Sequence, residues 1–257
     1  KPKDFQSFLY VSQLLQSKAM QIAIEAHRRN MPYCMGSLYW QINDCWPVAS
    51  WSTIDYYGNW KAAHYNVKEL YKPIKTMFYT NDDTLEVHIV SDKLKDKKAL
   101  LKIKLINFKG AVLKEIAKNV TIKQNTSGVY FDVNEVAFIN GEKKENTFLV
   151  SELVGVDNVV FDETIFYLEK PNQLELLKPT IEYFVLTQHE KEVEIEISSN
   201  VLVKNIYLIT SEKGHFSNNY FDVLPKKKYR IKFSSEEQIN IEKFTKELKL
   251  ISLFDTY

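Results

Sequence analysis

The chain has 257 residues, a length that at roughly 100–200 residues per domain predicts two or three domains. Hydrophobic residues make up 45 % of the chain and charged residues 26 %, which is typical of globular proteins and argues against long disordered segments. Lys and Arg total 34 against 33 Asp and Glu, so the charge gives no reason to expect nucleic acid or a membrane surface as a partner.

The first predicted element is a helix that ends before Met31-Pro32. Apolar residues between Leu15 and Ala26 recur at three- and four-residue steps, and Ser12 is a suitable N-cap for this helix. The nearly continuous apolar run from Cys34 to Ile42 then predicts a strand that is covered on both faces, as in a parallel sheet. Because a lone parallel strand is not a stable sheet, we expect its neighbouring strands to lie outside this chain.

A long loop and a second helix follow the predicted strand. The loop, from Asn43 to Gly58, is polar and aromatic, and Asn59 is the candidate cap of a helix from about Trp60 to Tyr71. Lys72-Pro73 ends this helix, and here a helix-type pattern gives way to a strand-type pattern. This change predicts a domain boundary.

The rest of the chain predicts two β-sandwiches joined by a linker over residues 169–179. Short alternating runs recur at roughly ten-residue spacing with turn residues between them, which is the pattern of a sandwich. The predicted strands of the first sandwich are Leu85–Val90, Ala99–Phe108, Val112–Ile122, Gly128–Phe138, Thr147–Val154 and Val159–Leu168. The predicted strands of the second are Ile181–Thr187, Val193–Ser198, Leu202–Thr210, Tyr220–Leu224, Lys228–Phe233 and Leu248–Phe254.

All four tryptophans lie in and beside the predicted loop: Trp40, Trp46, Trp51 and Trp60. Asn43 and Asp44 stand among them, at the carboxyl end of the predicted strand. Sugars stack their C–H groups on aromatic rings and exchange hydrogen bonds with Asp and Asn, and α/β folds bind ligands at the carboxyl ends of parallel strands. The pattern therefore predicts a sugar-binding site, and the alternative interpretation is that the rings pack between a barrel and a sandwich.

Other chemistry finds little support in the sequence. It lacks Gly-rich phosphate loops and the G-x-S-x-G motif, and its five histidines lie at no metal-ligand spacing. Cys34 and Cys45 are too few for a disulfide scaffold or a four-thiolate metal site. We therefore expect no metal and no cofactor, and no membrane span because no apolar run approaches about 18–20 residues. The chain opens with Lys-Pro-Lys-Asp instead of Met, so we expect a piece of a longer protein.

Three stretches of the N-terminal segment are distinctive: Gly-Ser-Leu-Tyr-Trp-Gln-Ile-Asn-Asp-Cys-Trp-Pro at 36–47, Ala-Ser-Trp-Ser-Thr-Ile-Asp-Tyr-Tyr-Gly at 49–58 and Trp-Lys-Ala-Ala-His-Tyr at 60–65. They resemble the end of the catalytic barrel of the β-mannosidases in glycoside hydrolase family two. Glu-Ala-His-Arg-Arg at 25–29 is similar to the preceding barrel helix. Phe-Ser-Asn-Asn-Tyr-Phe-Asp-Val-Leu-Pro at 216–225 resembles the C-terminal immunoglobulin-like domain, and the middle segment matches in position and strand pattern only.

The resemblance implies a mixed fold. Residues 1–75 would be a terminal α-β-α piece of a (β/α)8 barrel, comprising its last strand and flanking helices. Residues 76–170 and 171–257 would be two all-β immunoglobulin-like sandwiches. Since seven barrel strands would be missing, we expect residues 1–75 to pack against the sandwiches, to self-associate through the uncovered apolar surface, or to be partly disordered.

The resemblance also implies an exo-acting, retaining hydrolysis of terminal non-reducing β-D-mannose residues by two glutamates about 5–5.5 Å apart. Trp40 would line the mannose subsite and would be joined to Gln41 by a cis peptide bond. Within residues 1–75 the only glutamates are Glu25 and Glu69, both on predicted helices. We therefore predict no catalytic residue in this chain, which would be inactive alone.

The predicted substrate-binding residues are Trp40, Asn43 and Asp44. For Asp44, contact with the sugar and capping of the loop are equally open. Trp46, Trp51 and Trp60 are interpreted as residues that pack the loop and the second helix against the barrel or the next domain.

Three functional hypotheses follow. The first is the inactive C-terminal part of a β-mannosidase, whose substrate is a β-mannoside oligosaccharide. The second is a sibling enzyme of the family, of the β-glucosaminidase or β-galactosidase type. The third is a binding module whose sandwiches grip polysaccharide, although neither sandwich contains a tryptophan. The lysosome, the cytoplasm and the periplasm are all compatible with the sequence.

Overall fold

The computed structural model describes residues 1–257 and consists mostly of β-sheet. The helices are α1 (Phe5–Arg29), α2 (Ala62–Leu70), α3 (Glu135–Ile139) and α4 (Ile241–Glu247). The strands are β1 (Ile74–Asn81), β2 (Thr84–Ser91), β3 (Lys97–Asn107), β4 (Val112–Ile122), β5 (Thr126–Asn134), β6 (Thr147–Gly155), β7 (Val160–Tyr167), β8 (Ile181–His189), β9 (Glu192–Ser199), β10 (Val203–Ile209), β11 (His215–Phe216), β12 (Phe221–Val223), β13 (Tyr229–Ser234) and β14 (Lys249–Ile251). No helix combines the length and the hydropathy needed to cross a membrane.

The chain divides into two compact units. The first unit contains residues 1–20, 39–67 and 177–257, and the second contains residues 21–38 and 68–176. Each unit is built around one sandwich, to which parts of the first 75 residues are added.

Helix α1 begins earlier than the sequence predicts. The Asp4 carboxylate accepts a hydrogen bond from the Ser7 N–H at 2.7 Å, which satisfies a free donor at the start of the helix. Ser12 lies inside α1, where its hydroxyl donates to the Phe8 carbonyl at 2.8 Å, so the prediction of a cap at Ser12 is wrong. Nothing between Asp4 and Ser12 interrupts the helix, and the earlier polar residue takes the capping role.

Helix α2 also differs at its start. It begins at Ala62, whose N–H donates to the Gln13 side chain at 3.1 Å, so Asn59 is not its cap. The Asn59 N–H instead donates to the Asp55 carboxylate at 2.8 Å, in a tight turn before the helix. A partner from α1, distant in sequence, therefore satisfies the first turn of α2.

The predicted strand from Cys34 to Ile42 is not a strand in this chain. Its residues are irregular, and the side chains of Leu38 and Trp40 are 102 % and 74 % exposed. The local pairing is limited to short contacts such as the Thr53 N–H, which lies 3.0 Å from the Ile42 carbonyl. The run is apolar enough to be buried on two faces, but the chain contains no neighbouring strand to complete its backbone hydrogen bonds.

The second unit contains a sandwich of two antiparallel sheets. One has the order β1-β2-β5 and the other β4-β3-β6-β7. Alternate residues of β2 and β3 enter the core between them, for example Leu85, Val87, Leu101 and Ile103. The last third of the predicted strand Gly128–Phe138 is instead α3, because the Asn134 side chain accepts from the Ala137 N–H and starts a helical turn.

The first unit contains the other sandwich, with sheets β12-β10-β14 and β11-β13-β9-β8. Its core includes Val193 and Ile195, which are alternate residues of β9, and Ile206 of β10. Helix α4, which the sequence analysis missed, is capped by the Asn240 side chain, which accepts from the Lys243 N–H. The prediction of two sandwiches is confirmed.

The N-terminal segment packs on the sandwich of the first unit. Tyr10 of α1 is buried, donates a hydrogen bond to the Asn205 carbonyl, and stacks on Tyr207 and Tyr220 with ring centroids 6.0 and 6.1 Å away. The Lys3 N–H donates to the carbonyl of Thr256 at 3.0 Å. Of the three expected outcomes for this segment, the structure shows packing against the sandwich.

In the second unit a buried arginine joins α1 to the end of α2. The Arg28 guanidinium donates to the carbonyls of Leu70 and Lys72, and its other amino group lies 2.7 Å from the Asp92 carboxylate. The carbonyls at the end of a helix lack partners within the helix, and a cation there also complements the helix dipole. Arg28 therefore fixes the chain where it enters the sandwich.

Candidate functional site

The candidate site lies in the loop that follows Trp40, within the first unit. The peptide bond between Trp40 and Gln41 is cis, as the resemblance implied. The Trp40 ring is mostly exposed, and the exposed side chain of Asn43 donates to the Asp44 carbonyl at 3.3 Å. A bare indole face and an accessible amide, three residues apart, are groups that a sugar can contact.

Asp44, in contrast, is buried within the loop. The Ser50 hydroxyl donates to one carboxylate oxygen and the Ser52 hydroxyl to the other, each at 2.6 Å. The Lys61 ammonium lies 2.8 Å from the Ser52 hydroxyl oxygen and 3.5 Å from the nearer Asp44 oxygen. We call these four residues the Asp44 cluster. Both carboxylate oxygens are engaged by the loop itself.

The electrostatics of the Asp44 cluster favour the charged carboxylate. Hydrogen bonds from Ser50 and Ser52 lower the pKa of Asp44 and outweigh the effect of burial, and Lys61 adds an attractive charge. Because the folded-state pKa is depressed, the cluster stabilises the loop above the ordinary carboxyl range. This contribution is lost as the pH falls through the folded-state value.

We therefore expect the Asp44 side chain to titrate below its ordinary pKa of 3.8. The measurement is an NMR titration of the carboxyl carbon in the 257-residue chain, with a Ser50→Ala, Ser52→Ala double variant as the control. The midpoint should move up when the two hydroxyls are removed. A wild-type midpoint at or above 3.8 would contradict this account of the cluster.

The other tryptophans divide into two classes. Trp60 stacks on His215 with a centroid distance of 4.4 Å and an interplanar angle of 18°, and its centroid lies 4.7 Å from that of His64. The interpretation of Trp60 as a packing residue is therefore confirmed. Trp46 and Trp51 are 65 % and 63 % exposed in this chain, although the Trp51 carbonyl accepts a hydrogen bond from the Gln16 side chain.

The two glutamates of the N-terminal segment are on helices, as predicted. Glu25 in α1 accepts a hydrogen bond from the Gln21 side chain at 2.9 Å, and Glu69 in α2 pairs with Lys72. Both belong to the second unit, whereas Trp40 belongs to the first. The partners of Asp44 were not predicted, and the signal that could have revealed them is the Ser-x-Ser spacing at Ser50 and Ser52 shortly after the aspartate.

Comparison with known proteins assigns both sandwiches. Residues 83–172 match the family described as a mannosidase immunoglobulin/CBM-like domain, and residues 176–256 match a family described as an immunoglobulin-fold domain. The chain is 23 % identical to mouse β-mannosidase over 270 residues, which covers 99 % of this chain and 30 % of the mouse protein. It is 26 % identical to β-mannosidase A of Aspergillus oryzae, covering 98 % of this chain and 29 % of that protein.

Solved structures give the same result. The β-D-mannosidase from Dictyoglomus thermophilum superposes with a TM-score of 0.86 at 28 % identity, covering 98 % of this chain and 30 % of that one. An exo-chitosanase from Amycolatopsis orientalis shares the fold, with a TM-score of 0.70 at 12 % identity and 94 % of this chain covered. The chain thus spans about 30 % of the length of the β-mannosidases that it matches. The two family matches, the β-mannosidase relatives and the Dictyoglomus structure together support the assignment of this chain as the C-terminal part of a β-mannosidase of glycoside hydrolase family two.

Proposed function

We propose that the protein containing this chain is an exo-acting, retaining β-mannosidase that removes terminal non-reducing β-D-mannose residues. The observation that carries the proposal is the similarity to the Dictyoglomus β-D-mannosidase, which extends over 98 % of the chain and includes the loop after Trp40. The chain itself contributes no catalytic carboxylate, because its two candidate glutamates, Glu25 and Glu69, are engaged on helices. The reacting pair is contributed by residues outside it.

In this proposal residues 1–75 are the end of a (β/α)8 barrel, residues 76–170 are one immunoglobulin-like domain, and residues 171–257 are another. The surface of the N-terminal segment supports it. In the first unit Phe5, Phe8, Leu9, Leu15, Trp40, Ile42, Trp46, Val48 and Trp51 expose large apolar side chains. So many exposed apolar residues in one segment indicate a surface that another part of the protein covers. Self-association through this surface, in the chain studied alone, stays a prediction.

Within the proposed site Trp40 provides the platform for the terminal mannose, and Asn43 provides an amide for its hydroxyls. Asp44 is the third predicted site residue, and it could either contact the sugar or support the loop. Its burial and its two serine partners favour loop support. No metal or cofactor enters this chemistry, since the hydrolysis needs only two carboxyl groups and water.

The first test is an activity assay of the longer protein and of this 257-residue chain on 4-nitrophenyl β-D-mannoside. We expect turnover by the longer protein and none by the chain. A longer protein that cleaves the β-glucosaminide or the β-galactoside instead would replace the proposed substrate with that of a sibling enzyme. Calorimetric binding of mannan by the chain alone would favour the polysaccharide-binding module.

The second test removes the platform. A Trp40→Ala variant of the longer protein should lose about 30-fold in kcat/KM on the β-mannoside, because stacking one face of an indole on a sugar contributes about 2 kcal/mol. Phe184→Ala, which removes an aromatic ring that is 59 % exposed on strand β8, is the matched control and should keep full activity. Equal kcat/KM values for Trp40→Ala and wild type would rule out the platform.

A further inference from the structure

We propose that the C-terminal sandwich is the positioning support of the sugar-binding loop, that it holds the loop through the contact of His215 with Trp60, and that the Asp44 cluster keeps the supported loop closed. The inference rests on the proposed function, since it gives the sandwich a role in holding Trp40 and Asn43 where the sugar binds. All of the residues involved belong to the first unit.

The support begins at the sandwich edge. His215 is in β11, which pairs with β13 through His215 and Ser234. Gly214 precedes it with a φ of +153°, and a Cβ added there would lie 2.4 Å from the Ser234 carbonyl oxygen. Only glycine permits this close approach, which brings the His215 ring flat against Trp60.

The second step runs from Trp60 to the loop through the backbone. Trp60 forms an antiparallel bridge with Ile54, and the Lys61 N–H donates to the Thr53 carbonyl at 2.9 Å. The Thr53 hydroxyl in turn lies 3.1 Å from the His64 ring, at the start of α2. Thr53 and Ile54, in the second half of the loop, are therefore held beside Trp60, which stacks on the sandwich.

The third step is the Asp44 cluster, which closes the loop across its two arms. Lys61 follows Trp60 directly and reaches the buried Ser52 hydroxyl, which donates to Asp44. The Asp44 N–H donates to the Ile54 carbonyl at 3.1 Å, so both the backbone and the side chain of Asp44 are tied. Asp44 is adjacent to Asn43, and its position fixes where the Asn43 amide is presented. It acts on the sugar through its neighbours and is a positioning residue.

The experiment compares His215→Ala, His215→Phe and Ser52→Ala with wild type, and His189→Ala, an exposed histidine on strand β8, is the matched control. Amide hydrogen exchange of residues 41–54 is measured in the 257-residue chain. We expect exchange to rise about tenfold in His215→Ala and in Ser52→Ala, and to stay near wild type in His215→Phe, which keeps a flat ring for stacking.

In the longer protein, His215→Ala and Ser52→Ala should each raise KM about five- to tenfold with kcat within about twofold, the pattern of weakened uniform binding, whereas His215→Phe and His189→Ala should stay near wild type. Unchanged exchange in His215→Ala overturns the support by the sandwich, and unchanged exchange in Ser52→Ala overturns the closing role of the Asp44 cluster. Raised exchange with unchanged KM overturns their role in positioning. A wild-type longer protein without β-mannosidase activity overturns the proposed function instead, and the exchange measurement then still decides whether the sandwich holds the loop.

Discussion

Replacement of Asp162 by alanine is expected to lower the free energy of unfolding of the second unit by about 3–5 kcal/mol, because it leaves buried charge without its partner. The Asp162 side chain is fully buried, and its carboxylate lies 3.0 Å from the Lys75 ammonium. It also accepts hydrogen bonds from the Thr76 N–H at 2.9 Å and from the Thr164 hydroxyl at 2.9 Å. Strand β7 carries Asp162 and β1 carries Lys75, so the pair joins the two sheets of the sandwich.

The charge state of this aspartate is set by two opposing effects. Burial alone would raise the pKa of Asp162, but Lys75, the Thr76 N–H and Lys72 together hold it below its ordinary value. The carboxylate is therefore charged in the folded unit at neutral pH. Without Asp162 the ammonium of Lys75 stays buried and has lost this counter-charge. The free-energy cost of that buried charge is the source of the large expected loss of stability.

Denaturant unfolding is monitored through the amide exchange of residues in β1 and β7, so that the measurement reports the stability of the second unit alone. A Lys75→Met, Asp162→Leu double variant should recover most of the lost stability, because it removes both charges and fills their space with apolar groups. Asp96→Ala, which opens the exposed pair between Asp96 and Lys123, is the control and should change stability little. An Asp162→Ala chain as stable as this control would show that the buried pair contributes nothing.

Replacement of Phe244 by alanine should destabilise the sandwich of the first unit by about 3–5 kcal/mol, the usual cost of emptying a buried phenylalanine site. Phe244 is fully buried on α4, and its ring centroid lies 5.0 Å from that of Phe233 and 6.5 Å from that of Phe216. The three rings form the centre of the core at this end of the sandwich.

Thermal unfolding monitored by tryptophan fluorescence, to which Trp60 contributes through its stacking on this sandwich, reports the change. Phe244→Leu should lose less than the alanine variant because more of the cavity is filled. Phe184→Ala, on an exposed position of β8, removes the same ring from the surface and should be close to neutral. Equal melting temperatures for Phe244→Ala and Phe184→Ala would contradict the assignment of Phe244 to the core.

The strands of both sandwiches were predictable because their signal is local. Residues such as Leu85, Val87 and Ile89 alternate with polar neighbours along β2, and alternate side chains of a strand point to opposite faces of the sheet. Strand β1 (Ile74–Asn81) was not predicted, and in two other segments a local cap had been overlooked. Asn134 and Asn240 each start a short helix, α3 and α4, in a segment that otherwise reads as strand or linker.

The N-terminal segment shows the opposite case, in which a local pattern predicted a strand that the chain does not form. The run from Cys34 to Ile42 has the composition of a doubly buried strand, yet it is irregular and exposed here. A strand exists only through hydrogen bonds to a neighbour, and no neighbouring strand is present in these 257 residues. The starts of α1 and α2 were misplaced for a related reason, since Asp4 and Gln13 satisfy donors that the helical pattern alone does not reveal.

The sequence alone therefore revealed the chemical character of the loop: the indole of Trp40 and the amide of Asn43 follow from local residue types, and the three stretches between residues 36 and 65 carry the family resemblance. The role of Asp44 could not be predicted from the sequence, because whether a carboxylate faces a ligand or its own loop depends on which hydroxyls the folded chain brings to it. Ser50, Ser52 and Lys61 reach Asp44 only once the loop closes on itself, and His215 reaches Trp60 from 155 positions further along the chain. Contacts between residues far apart in sequence leave no periodic trace, so folding alone could place them.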